Sequence, residues 1–149
     1  MPTPSPPKPI LVFLHGAGTS ASIFRLQSRR LAAQLSPHFD LVYLDAPHAC
    51  PAGPGVLPFF EGCGPYLRWV DDEAPERERA YWAEGEGGEV DRVHLIGEDD
   101  PWRPESEKLV EFFYEARRKV IVFEGGHQMP AAEWVNTQAV RVVLDACGL

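Results

Sequence analysis

A chain of 149 residues, 44% of them hydrophobic and 11% aromatic, is long enough for one core and too apolar for a disordered protein. Twenty-two acidic against 14 basic side chains leave a net charge of -8, which repels phosphate backbones and argues against nucleic acid as a partner. The apolar runs are too short to cross a membrane, and three cysteines with no Cys-x-x-Cys spacing fit neither a disulfide framework nor a zinc site. No metal or cofactor is implied, and without a signal-peptide core at the N-terminus the expected location is the cytoplasm.

Residues 1–9 hold five prolines, favour extended conformations and read as a leader ahead of a single domain spanning 10–149. Ile10-Leu11-Val12-Phe13-Leu14 is a continuous apolar run stopped by His15-Gly16-Ala17-Gly18, the pattern of a parallel strand buried on both faces. Ile23, Leu26, Leu31 and Leu35 then predict one amphipathic helix, and Phe39 to Leu44 a second strand ending at Asp45-Ala46-Pro47-His48. From Cys50 to Gly88 periodicity is poor, with Phe59, Phe60, Tyr66, Trp69, Tyr81 and Trp82 among prolines and glycines, so loop with one short helix is expected. Residues 84–89, rich in glutamate and glycine, read as a linker or solvated turn.

Regular order resumes with a strand over 92–97 and a helix near 105–117 whose Leu109, Phe112, Phe113 and Ala116 share one face. A strand over 119–123 leads to a last helix opened near Pro130 and closed before Gly148, with Val135, Ala139, Val142, Val143 and Ala146 on one side. Four strands separated by helical or long connections predict an α/β fold, a three-layer sandwich around a mainly four-stranded parallel sheet. The loops carrying His15, Asp45, His48, Asp100 and His127 all follow strands, so they gather at the carboxyl edge where open α/β sheets bind ligands.

Chemistry enters through two of those loops. Gly97-Glu98-Asp99-Asp100-Pro101 and Gly125-Gly126-His127 place an acid and a histidine just past successive strands, as in hydrolases that use a Ser-Asp-His set. A carboxylate on one ring nitrogen fixes the tautomer and leaves the other free to move protons. The nucleophile is missing: none of Ser5, Ser20, Ser22, Ser28, Ser36 and Ser106, and none of the three cysteines, has glycine two residues away on both sides. Cys50 and Cys63 read as inert thiols. His15 and His48 read first as strand-end histidines that bond backbone and shape a pocket.

Several linked motifs resemble the fungal family of serine hydrolases, the FSH proteins of the α/β-hydrolase fold. They are Leu11-Val12-Phe13-Leu14-His15-Gly16-Ala17-Gly18 with Ile23-Phe24-Arg25, Leu44-Asp45-Ala46-Pro47-His48, Gly64-Pro65-Tyr66 with Trp69, Gly97-Glu98-Asp99-Asp100, and Gly125-Gly126-His127-Gln128-Met129-Pro130. The resemblance implies that Asp100, three residues after Gly97 and preferred to Asp99, is the acid and His127 the base. It also implies that Gly16 to Gly18 form an oxyanion-like loop, with His15 and His48 lining the substrate site. The family's nucleophile strand, its elbow serine and a further strand belong between the Tyr81-Trp82 region and Val93, where only the glycine and glutamate segment stands. Their loss would bring the first strand beside the third, giving the order second, first, third, fourth.

The expected function is therefore acid-base chemistry by an Asp100-His127 dyad, of cyclase, isomerase, dehydratase or lyase type, on a small apolar polyketide-like carbonyl compound. The alternatives are a non-catalytic binding protein derived from a hydrolase, or a shortened form of a serine esterase or thioesterase. Dimerisation is expected to cover apolar faces left by the missing block.

Overall fold

The computed structural model describes residues 7–69, 92–111 and 115–149, so the predicted linker at 84–89 and the aromatic pair Tyr81 and Trp82 lie outside the described residues. In chain order the elements are β1 (Ile10–Leu14), α1 (Ala21–Gln27), α2 (Arg29–Leu35), β2 (Asp40–Leu44), β3 (His48–Ala49), β4 (Leu67–Arg68), β5 (Arg92–Gly97), α3 (Arg103–Glu111), a single 3-10 turn (Glu115–Arg117), β6 (Arg118–Phe123) and α4 (Glu133–Ala146). No helix among the described residues is long and apolar enough to cross a membrane.

β1 pairs in parallel with β2, Ile10 opposite Asp40 through Leu14 opposite Leu44, and β5 pairs in parallel with β6, Arg92 opposite Arg118 through Gly97 opposite Phe123. β3 and β4 add a short antiparallel pair. The single four-stranded sheet predicted from the sequence is thus not formed among the described residues: β1 and β5 are not hydrogen-bonded to each other, and three two-stranded sheets stand in its place. A cavity of about 960 Å³ lies between them, lined by Leu11 to Leu14 of β1 and by Val93 and Leu95 of β5. Strand pairing needs two edges about 4.8 Å apart, and among the described residues the cavity lining stands where β1 and β5 would otherwise meet.

Those helices carry the core. Leu11, Phe13, Leu41 and Tyr43 project from one face of the β1–β2 pair onto Phe24, Leu31, Leu35 and Val140. Phe13 and Tyr43 stack with ring centroids 4.5 Å apart, and the Arg25 guanidinium lies 4.5 Å from the centre of the Tyr43 ring. A second cluster joins Ile121 and Phe123 of β6 to Val135 and Ala139 of α4, with Val93 and Leu95 of β5 packed against it. Leu31 touches both clusters, and α4 contributes to both, so α2 and α4 hold the two strand pairs in one body. Thr137 Oγ1 donates to Gln34 Oε1 at 3.2 Å and Arg30 donates to the carbonyl of Ala131 along the same contact.

Three further expectations change. The predicted single helix over 23–35 is broken at Ser28, whose backbone leaves the helical region (φ -88°, ψ 7°) while its hydroxyl donates to Phe24 O and meets Tyr43 OH at 2.9 Å. A side chain that can bond the preceding turn competes with the backbone ladder, and α1 and α2 meet at this residue. The helix predicted near 105–117 starts at Arg103 and is described as far as Glu111, and a 3-10 turn over Glu115–Arg117 precedes β6; Phe112 and Phe113 lie outside the described residues. β1 is not buried on both faces: Ile10, Val12 and Leu14 remain exposed, as do Val42 and Leu44 beside them, because α1, α2 and α4 all lie on the opposite face. At β5 helices lie on both sides, α3 on one and α4 on the other, and Ile96 of β5 and Val110 of α3 are buried.

This asymmetry predicts unequal costs along the same layer. Leu35→Ala, at a fully buried position, should lower the unfolding free energy by about 2–5 kcal/mol, whereas Val12→Ala should cost about 0.5 kcal/mol or less. Urea denaturation of the two variants measures both. Equal losses would mean that the outer face of β1 is covered.

Candidate active site

Asp100 and His127 meet because β5 and β6 are neighbours in register and each ends in a tight turn. Glu98 N–H donates to Phe123 O at 2.8 Å and Asp99 N–H to Gly125 O at 2.9 Å, which continues the strand pairing past Gly97 and draws the two loops together. Gly97 is required there: a Cβ would stand 2.4 Å from the carbonyl oxygens of both Gly125 and Gly126. Asp100 is then turned inward. Its Oδ1 accepts the amide of Trp102 at 2.8 Å, an Asx-type turn that leads into α3, and fixes the carboxylate before histidine reaches it.

His127 Nδ1 lies 2.9 Å from Asp100 Oδ2 and 3.1 Å from Oδ1. An ionised carboxylate accepts only, so Nδ1 carries the proton and donates, which leaves Nε2 with its lone pair. The Asp100 side chain is 9% exposed and that of His127 43%, so the acid is sheltered while the imidazole opens to solvent. Nε2 has no hydrogen-bond partner among the described residues, which leaves it able to exchange a proton with a bound molecule. The loop ahead of α4 is stapled by Asn136, which is buried and donates from Nδ2 to Pro130 O at 3.0 Å and to Ala132 O at 2.9 Å. Sequence reasoning missed Asn136. A polar residue within the apolar face of the last helix was the available signal, since a buried amide there must find partners.

The His-Gly turn after β1 has a different character. His15 is buried, its Nδ1 donates to Gly16 O at 2.8 Å and its Nε2 accepts Ala46 N–H at 3.0 Å. Both ring nitrogens are therefore occupied by backbone, and the imidazole ties the end of β1 to the end of β2. Trp69 packs against it, ring centroids 5.3 Å apart, and donates its indole N–H to His15 O at 2.7 Å. Asp45 accepts the amide of Ala21 at 2.7 Å and so serves the start of α1. Gly18, with φ 77°, donates to Leu67 O at 2.9 Å and is not free to bind an oxyanion. Gly16 and Ala17 are exposed, and their amides have no protein acceptor among the described residues. His48 is half-buried on β3 opposite Arg68.

The loop after β3 reaches the dyad from the other strand pair, for a Cβ on Gly55 would stand 3.0 Å from His127 O. The large cavity does not coincide with the dyad. It extends to Met129, two residues beyond His127, but is otherwise lined by the inner strands and helices. Asp100 and His127 thus stand at the strand ends and the apolar space lies between the sheets. Ser20 caps α1, buried, with its Oγ 3.0 Å from Ser22 Oγ, in a role that is structural. Among the described residues no three metal-ligating side chains converge.

An acid and a histidine on loops after adjacent parallel strands, within an α/β architecture, are the arrangement of an α/β-hydrolase-like fold. The chain belongs to the serine hydrolase (FSH1) family, whose model matches residues 5–87 and 72–139 in two pieces, and with that family comes the α/β-hydrolase fold. It is 30% identical over 200 residues to Esterase FUS5 of Gibberella fujikuroi, covering 91% of this chain and 86% of the relative. It is 49% identical over 71 residues to Esterase mokD of Monascus pilosus, covering 46% of this chain and 27% of that protein. It is 45% identical over 64 residues to the dihydromonacolin L-[lovastatin nonaketide synthase] thioesterase of Aspergillus terreus, covering 43% of this chain and 25% of that enzyme. The 200-residue alignment with Esterase FUS5 is longer than the 149-residue chain, so that relative carries residues with no counterpart here.

Two substitutions test how the loops are held. Gly97→Ala should destabilise the fold by about 1–3 kcal/mol in urea, because the added methyl must push the His127 loop away. Asn136→Ala should cost a similar amount, about 1–3 kcal/mol, by stranding the carbonyls of Pro130 and Ala132. Unchanged stability in both would mean that the loop is not held as described.

Proposed function

We propose that this FSH-family protein uses His127 as a general acid-base, oriented by Asp100, on a small apolar carbonyl compound of polyketide type, without forming a covalent serine intermediate. The observation that carries the reading is the two-point contact of His127 Nδ1 with a sheltered carboxylate, which leaves Nε2 open. A base at Nε2 can remove a proton from the carbon next to a carbonyl, and the same nitrogen, once protonated, can return it elsewhere. Isomerisation, dehydration and cyclisation all begin with that step and need no nucleophilic side chain. The unoccupied amides of Gly16 and Ala17 are donors of the kind that steadies a developing enolate oxygen. The substrate class is supported by the relative whose name couples it to lovastatin nonaketide synthase.

A non-catalytic binding protein derived from a hydrolase is the second reading. It is favoured by the missing Gly-x-Ser-x-Gly elbow and by Gly18, whose amide is spent on Leu67 O.

The test follows α-proton exchange in deuterium oxide by NMR with a panel of short β-keto thioesters and the matching free ketones. Wild-type protein should accelerate exchange of at least one of them. His127→Ala should lower that rate by about 10²-fold or more, and Asp100→Asn should impair it by releasing the imidazole from its tautomer. A fluorophosphonate should label no serine. Full rates in both variants, or stoichiometric labelling of one serine, would overturn the proposal, and binding without exchange by the wild type would favour the second reading.

A further inference from the structure

Gly53-Pro54-Gly55-Val56, in the loop after β3, connects the turn that follows β1 to the loop that carries His127. Val56 N–H donates back to Gly53 O at 3.2 Å, proline follows Gly53, and Gly55 has φ 73°, which together make a type II turn with proline second and glycine third. Both ends of this turn are anchored. Gly53 N–H donates to Gly18 O at 2.9 Å, and a Cβ on Gly53 would stand 2.5 Å from Ala17 O. Val56 is buried. The third residue is the one that reaches the dyad, since a Cβ on Gly55 would stand 3.0 Å from His127 O. Among the described residues that carbonyl accepts no hydrogen bond, so its place is set by what packs against it.

We infer that Gly55 is a positioning residue: by lying against the His127 carbonyl it seats the histidine backbone so that the imidazole presents Nδ1 to Asp100. Glycine is needed there for two reasons. A left-handed φ strains any residue with a Cβ, and the missing Cβ is what lets the turn come so close to the carbonyl. The strand-pair side leaves little slack, because Gly97 already lies against the carbonyls of Gly125 and Gly126. A methyl on Gly55 therefore displaces the His127 backbone, and the directional contact of Nδ1 with the carboxylate bends or lengthens. The effect on turnover rests on the acid-base role proposed for His127, whereas the placing of the ring does not.

Nitrogen NMR of the full chain, labelled at histidine and with His127 assigned by its loss in His127→Ala, reads the tautomer of the neutral ring. The wild type should show His127 protonated at Nδ1 alone. Gly55→Ala and Gly55→Asn should both add the Nε2 tautomer, and should slow α-proton exchange of the β-keto thioester that the wild type exchanges fastest by about tenfold or more. Asparagine tolerates the left-handed region, so that variant carries the added Cβ with less backbone strain than alanine. Gly62→Ala is the control: Gly62 has φ 74° in the same loop, but a Cβ there meets nothing within 4 Å among the described residues, so spectrum and rate should stay as in the wild type. A single Nδ1 tautomer kept in both folded Gly55 variants, or the same change in Gly62→Ala, would overturn the inference. A changed tautomer in both Gly55 variants of a protein that exchanges no α-proton would support the positioning role and remove the proposed chemistry.

Discussion

Helix α4 lying across two separate pairs of strands is the constraint on which the rest depends. In an ordinary open α/β sheet, backbone hydrogen bonds run from one edge to the other and the helices add apolar cover. Here the ladder is interrupted between β1 and β5, so the two pairs are joined by side-chain packing: Val140 reaches the Phe13 and Leu35 cluster, and Val135 and Ala139 reach Ile121 and Phe123. Leu31 of α2 completes the bridge from the other side. Apolar contact is non-directional, and it can hold two sheets at a separation that hydrogen bonding would not allow. The cavity and the bare outer face of β1 both follow from that arrangement.

The candidate site survives the interruption because it is assembled locally. Asp100 and His127 sit on the loops of a strand pair that is itself intact, and their meeting is set by the close approach at Gly97 and by the turn that Trp102 N–H makes with the carboxylate. His15 and Trp69 do similar work at the end of the other pair, where they fix the turn after β1. The two ends come within reach of each other through Gly55, beside the His127 carbonyl. A site built this way draws only on β5, β6 and the two loops that follow them. The acid-base chemistry proposed above asks for no other strand.

The sequence by itself determined the four longer strands and the loops that follow them. Apolar runs of strand length marked β1, β2, β5 and β6, glycine or an acid after each marked their ends, and Gly97-Glu98-Asp99-Asp100 with Gly125-Gly126-His127 marked the residues that meet. The absence of a nucleophile elbow was equally legible, because it is a statement about spacing alone. Tertiary structure decided what periodicity cannot encode. A run such as Ile10 to Leu14 looks alike whether one face is covered or two, and its exposed row came to light only with the helices placed on the opposite side. The break at Ser28 depends on Tyr43, the engagement of His15 on Ala46, and the burial of Asn136 on the loop at Pro130. Strand order was the largest such decision. Which edges pair depends on strands and helices far apart in sequence, and that is a property of the whole molecule that no single segment carries.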